Sequence, residues 1–144
     1  MSAPDYQVPG DGLLAGAAQG PTEIFWAELR QGRLVLQRCS SCSRVFHRPR
    51  LLCPACTSRD WAWEQSAGEG VVYAATTVTR PVGAFRGEEP YTVVLVDLPE
   101  GARVTGRMAA VPGASDAVAI GDRVRFALGA DHEGGPRVEF EPVR

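Results

Sequence analysis

Four cysteines in two Cys-x-x-Cys pairs constrain this chain more than any other feature. Cys39 and Cys42 form the first pair, Cys53 and Cys56 the second, with ten residues between them, and they are the only cysteines in 144 residues. Two residues between thiolates let both sulfurs of a tight turn face one ion while backbone N–H groups donate to them, and two such turns complete a tetrahedral set. The connection is shorter than the roughly fifteen to twenty residues of many four-cysteine sites, but it suffices for a short hairpin. Disulfides require an oxidising compartment, and the start of the chain, from Met1 to Tyr6, carries neither the basic nor the apolar segment of an export signal. A thioredoxin-type pair would open a helix in a βαβ unit, a pattern missing here. The tetrad is therefore expected to be a closed structural site in a cytoplasmic protein, with no coordination position left for water. Zinc is the expected ion; iron, which takes the same four sulfurs in rubredoxin-type sites, is the alternative. His47 reads as an ordinary ribbon residue rather than a fifth ligand.

Around the cysteines the elements are short. Residues 22–32 give an amphipathic helix: Thr22 is the expected cap, Phe25 and Leu29 lie one turn apart, and Gly32 closes the end. Trp26 stands to one side of that stripe and is the candidate partner-docking residue. Residues 33–38 and 44–47 alternate as strands on either side of the first cysteine pair. From residue 61 the pattern becomes purely β, with strands expected at 61–64, 71–79, 91–98, 103–108, 122–128 and 137–140, separated by Gly- and Pro-rich turns. Five or six short strands with such punctuation suggest a small closed barrel, with one of the oligonucleotide/oligosaccharide-binding type the leading candidate and a β-sandwich the second. The seven aromatics from Trp61 to Phe140 are assigned mostly to the core. The expected organisation is a leader over 1–21, a helix and metal ribbon over 22–60, and a barrel over 61–144. No apolar run approaches the roughly 18 residues of a bilayer crossing.

Charge is distributed unevenly. Residues 1–29 hold four acids and no base, residues 30–59 seven arginines and no acid, and residues 60–144 thirteen acids and eight arginines. The formal net charge of -2 argues against a protein that mainly neutralises a nucleic-acid backbone. All fifteen cations are arginine, which removes lysine Schiff-base and lysine general-base chemistry. With two histidines and no paired nucleophile and base, no catalytic residue is assigned. The carboxylates at 88, 89, 97 and 100 read as solvated turn residues rather than general bases. Arg33, Arg38, Arg44, Arg48 and Arg50 flank the cysteines as the candidate anion- or partner-binding set: phosphates of a nucleotide-containing cofactor such as coenzyme A, an acidic protein face, or nucleic acid all suit clustered guanidinium groups, and the alternative is a solvated surface that neutralises the acidic barrel of the same chain.

An ordered set of residues resembles a known family. Phe25-Trp26, Gly32-Arg33-Leu34, Gln37-Arg38-Cys39, Pro49-Arg50 and Cys53-Pro54 precede Gly68-x-Gly70-Val71-Val72-Tyr73, Pro90-Tyr91, Glu100-Gly101-x-Arg103 and Gly121-Asp122-x-Val124. Together they are similar to the acyl-CoA-associated zinc-ribbon/OB-fold family, long labelled a domain of unknown function. Ser43, where that family often has glycine, and His47-Arg48-Pro49-Arg50, its version of a Pro-Pro-Arg element, are departures. The resemblance implies a mainly β protein: an N-terminal helix, a rubredoxin-like zinc ribbon and an OB barrel. It also implies a non-catalytic accessory subunit, in a hetero-oligomer with a thiolase-like or lipid-transfer-type partner such as a retro-aldolase of steroid side-chain degradation, helping to hold an acyl-CoA. The competing readings are a nucleic-acid-binding OB protein and a stand-alone acyl-CoA hydrolase or lyase.

Overall fold

The computed structural model describes residues 20–110 and 118–143, so the expected leader, apart from its last two residues, lies outside the described residues. The chain divides into two compact units, residues 20–67 with 100–102, and residues 68–99 with 103–143.

The first unit begins with α1, Pro21–Arg30. Its cap is Gly20 rather than Thr22, and no side chain caps it. Pro21 explains the shift: proline's fixed φ suits the first helical position, where a missing N–H costs nothing. The far end behaves as the sequence implies. Gly32 takes φ of 81°, its N–H donates to Leu29 O, and the Arg33 N–H donates to Glu28 O, which together form a Schellman closure. Phe25 and Leu29 are buried on the inner face. β1 (Val35–Cys39) lies between β2 (Val45–Phe46) and β3 (Trp61–Gln65) in an antiparallel sheet, and α1 packs on β1. A strand with a neighbour on each edge and a helix against it does not alternate: Leu34, Val35, Leu36, Gln37 and Cys39 are all at most 1% exposed. β3 is the segment the sequence places in the barrel. Its register instead runs along β1, Cys39 opposite Trp61 and Val35 opposite Gln65, so the ribbon extends to residue 67.

The second unit is a closed barrel of five strands in the order β4-β5-β6-β8-β7: β4 (Glu69–Val78), β5 (Tyr91–Asp97), β6 (Arg103–Met108), β7 (Arg123–Ala130) and β8 (Pro136–Pro142). Every pairing is antiparallel except β6 with β8, the connectivity of an OB barrel. Interior residues alternate along the strands, and Val72, Val94, Val96, Val104, Val124 and Phe140 are at most 1% exposed. Strand alternation places Tyr73 outside, beside a bulge between Val72 and Ala74, and the Arg103 guanidinium stacks 3.3 Å from its ring centroid. Of the seven aromatics assigned to the core, Phe140 alone is fully buried, while Tyr73 and Phe85 are exposed. The carboxylates expected to be solvated are engaged as well: Asp97 pairs with Arg103, Glu88 with Arg107, and Glu100 accepts from Ser66 and the Ala67 N–H.

Candidate metal centre

The two cysteine turns are copies of one backbone device. In the first, Ser43 N–H donates to Cys39 O at 2.9 Å and Cys39 N–H donates to Arg44 O at 2.8 Å. In the second, Thr57 N–H donates to Cys53 O and Cys53 N–H to Ser58 O, both at 2.9 Å. Closing such a turn requires the residue after the second cysteine to enter the left-handed region, and Ser43 and Thr57 have φ of 65° and 62°. That conformation is the physical reason glycine suits position 43; a β-branched threonine at 57 tolerates it only because the flanking cysteines over-determine the turn. Ser41 and Ser58 hydroxyls meet at 3.0 Å and tie the two turns together.

The turns bring all four sulfurs within 4.8 Å of one another, with Cys39–Cys56 and Cys42–Cys53 at 3.6 Å. A tetrahedral ion with metal–sulfur bonds near 2.3 Å needs sulfur–sulfur edges of about 3.8 Å. The tetrad therefore fits a four-sulfur metal ion with little rearrangement. Its electrostatics point the same way. The Cys39 thiol is pulled down to about 6, first by the Cys42 N–H and further by the Ser41 N–H. Cys56 feels the Ser58 N–H pulling it down, but its three sulfur neighbours and burial outweigh that and push it up to about 12. Four thiolates this close cannot coexist unless a cation sits among them. Cys39 and Cys53 are buried beside Phe46 and Trp61, whereas Cys42 and Cys56 face outward. His47 is outside the tetrad, as the sequence implies, and its ring packs on Phe25 at 5.3 Å between centroids.

That packing has a consequence for acid stability. The His47 Nδ1 is buried without a hydrogen bond among the described residues, and burial, with the neighbouring Arg48 charge, lowers its pKa from 6.5 to about 4. The unfolded chain therefore binds a proton here between pH 6.5 and 4 that the folded chain refuses. The stabilisation is complete above pH 6.5 and lost as pH falls toward 4, by up to about 3 kcal/mol. Urea unfolding of wild type and His47→Phe is expected to diverge over that window, with the variant less sensitive to acid; parallel curves would refute it.

The arginine set divides in two. Arg33 Nε donates to Glu28 at 2.6 Å, and Arg38 holds Glu64 through Nε at 2.6 Å and Nη2 at 3.2 Å, so both are engaged within the chain. Counting charge along residues 30–59 misses these partners because they lie just outside the run. Arg44, Arg48 and Arg50 are exposed and make no ion pair among the described residues. Trp26 is 39% exposed beside buried Phe25. The exposed segment has a buried anchor that sequence reasoning passed over. Gln37, 1% exposed, donates its amide to Arg50 O at 2.8 Å and accepts from the Arg50 N–H at 2.9 Å. Trp61 Nε1 donates to Leu51 O at 2.9 Å. These bonds fix the backbone that presents Arg50 together with the exposed Leu51 and Leu52.

A four-sulfur ribbon followed by a five-stranded OB barrel defines a two-module protein of the metal-ribbon/OB class. Residues 26–62 match the family model described as "ChsH2, rubredoxin-like zinc ribbon domain", and residues 63–128 match "ChsH2, C-terminal OB-fold domain". A DUF35 domain-containing scaffold protein of Methanothermobacter thermautotrophicus is 31% identical over 112 residues, 76% of this chain and 83% of that protein. The chain belongs to this DUF35 family. A probable enoyl-CoA hydratase alpha subunit of Thermomonospora curvata is 41% identical over 99 residues; the alignment takes in 67% of this chain but spans only 30% of that relative. A solved structure described as "Ltp2-ChsH2(DUF35) aldolase" superposes with a TM-score of 0.72 at 32% identity, covering 88% of this chain and 97% of that one.

Proposed function

We propose that this chain is the non-catalytic accessory subunit of a thiolase-superfamily enzyme acting on acyl-CoA, a thiolase or a CoA-dependent retro-aldolase such as those of steroid side-chain degradation. In this reading zinc fills the cysteine tetrad as a purely structural ion, and the complex works in the reducing cytoplasm, where the four thiols stay free to bind it. The observation that carries the proposal is the structural match, over most of both chains, to a chain of the structure described as "Ltp2-ChsH2(DUF35) aldolase". The scaffold relatives and the hydratase alpha subunit add to it.

On this chain the surface offered to the partner or to the phosphates of its CoA is the ribbon segment bearing Arg44, Arg48 and Arg50, with Trp26 as an apolar anchor. Three exposed guanidinium groups that make no ion pair among the described residues are suited to charge-complementary docking. Co-expression with a thiolase-fold partner is expected to give a stoichiometric hetero-oligomer on size-exclusion chromatography. Replacing the three arginines by glutamate should weaken it by roughly tenfold or more, with a reduced salt dependence. A chain that stays monomeric beside the partner, or that cleaves acyl-CoA thioesters unaided, would rule the reading out.

A further inference from the structure

The barrel carries a pocket formed by residues other than the ribbon segment proposed above for docking. It measures about 180 Å³ and is bounded by β4, β5, β6, β8 and the loop of residues 79–90. Arg107 on β6 and Arg137 on β8 line it, and their Nη1 atoms converge on one oxygen, Glu88 Oε2, at 2.6 and 3.7 Å. Each arginine is also held independently of Glu88. The Arg107 guanidinium stacks 3.8 Å from the Tyr91 ring centroid, and Arg137 donates through Nε and Nη2 to Glu139 at 3.0 and 2.6 Å. Arg137 Nη1 is different: it is buried and makes no hydrogen bond among the described residues, a costly state for a charged donor. Glu88 is the one member of this group supplied by a loop rather than a strand.

We infer that Glu88 is an internal stand-in, and that the pocket binds a short-chain monocarboxylate whose carboxylate takes Glu88's place between the two Nη1 atoms. Charge balance selects this class. Two arginines face Glu88 and Glu139, so exchanging one carboxylate for another leaves the site neutral; an anion added beside Glu88 would not. A planar carboxylate can accept from both converging donors, which satisfies the Arg137 atom that Glu88 leaves 3.7 Å away. Pro90, Met108, Ala110, Val118 and Pro142 give an apolar part of the wall that suits an alkyl tail, beside the Thr77 and Thr92 hydroxyls, which are paired with each other at 3.2 Å. A cavity of roughly 150 Å³ accommodates benzene, so this volume fits about six to eight non-hydrogen atoms, the range from butyrate to hexanoate.

The test is an NMR titration of the full-length, metal-loaded protein with butyrate, following amides 87–91 and 137–140. Wild type is expected to bind in the millimolar range. Glu88→Gln, which weakens the internal competitor, should bind roughly fivefold tighter or better, and Arg137→Gln should not bind. Arg137→Lys keeps the charge but loses the two-pronged donor; it should bind more weakly than wild type and serves if Arg137→Gln does not fold. Acetate, lacking the tail, should bind more weakly than butyrate. Glu88→Gln binding no better than wild type, wild-type affinity in either Arg137 variant, or equal affinity for acetate would overturn the assignment. So would shifts confined to ribbon amides 44–52, which would mean that butyrate merely visits the exposed arginines.

Discussion

Stripping the metal, or replacing Cys39 or Cys53 by serine, is expected to unfold the ribbon. The reason lies in how little else holds it: one ten-residue helix and a three-stranded sheet whose β2 has two residues. Structural zinc supplies on the order of 10 kcal/mol to isolated finger peptides, more than a sheet of this size can replace. The effect should be graded by position. Cys39 and Cys53 are 1% exposed within the cluster that includes Phe46 and Trp61, so serine there loses a ligand and leaves a hydroxyl in an apolar site. Cys42 and Cys56 are exposed, and serine there loses the ligand alone. Elemental analysis should find one metal ion per chain, and chelation should collapse the dispersed amide signals of residues 35–65. Colourless holoprotein identifies zinc, whereas a red, thiolate-to-iron absorbing protein identifies the rubredoxin alternative. A metal-free wild type with unchanged melting would defeat the entire account of the tetrad.

The sequence exposes what local chemistry controls and conceals what distant residues decide. The cysteine tetrad, the Gly32 helix stop and the alternating strand Tyr91–Asp97 are all legible, because ligand spacing, positive φ and a two-residue period are local signals. Trp61–Gln65 shows the limit: its residues announce a strand, but only its partner, 22 residues upstream at Cys39↔Trp61, says to which sheet it belongs. Electrostatics fail for the same reason. Arg38 lies in a run without acids, yet Glu64, 26 residues away, neutralises it. Gln37 is visible as a member of a family motif, but its role as a buried clamp on Arg50 depends on a chain reversal 13 residues long. The Arg107–Glu88–Arg137 arrangement is illegible for the same reason, since three separate segments assemble it.

Phe140→Ala is expected to destabilise the barrel by about 3–5 kcal/mol, and the neighbouring Gly106 shows how tightly the space is filled. Phe140 is completely buried, the largest side chain to be so. A Cβ added at Gly106 would lie 2.6 Å from the Phe140 ring at Cε2 and 3.1 Å from the Val138 carbonyl oxygen. Neither neighbour can yield easily, since one is a ring packed on all sides and the other is strand backbone. Gly106→Ala should therefore cost about 1–3 kcal/mol through overpacking, although alanine is the better residue in an unconstrained strand. The two substitutions share one volume, so their costs should not add. In a Phe140→Leu background Gly106→Ala should cost at least about 1 kcal/mol less than in wild type, as read from denaturant midpoints in a double-mutant cycle. Equal costs in both backgrounds would show that the strand backbone at Val138, rather than the ring, demands glycine. The cycle therefore separates two physical reasons for one residue, the ring at Phe140 and the strand backbone at Val138.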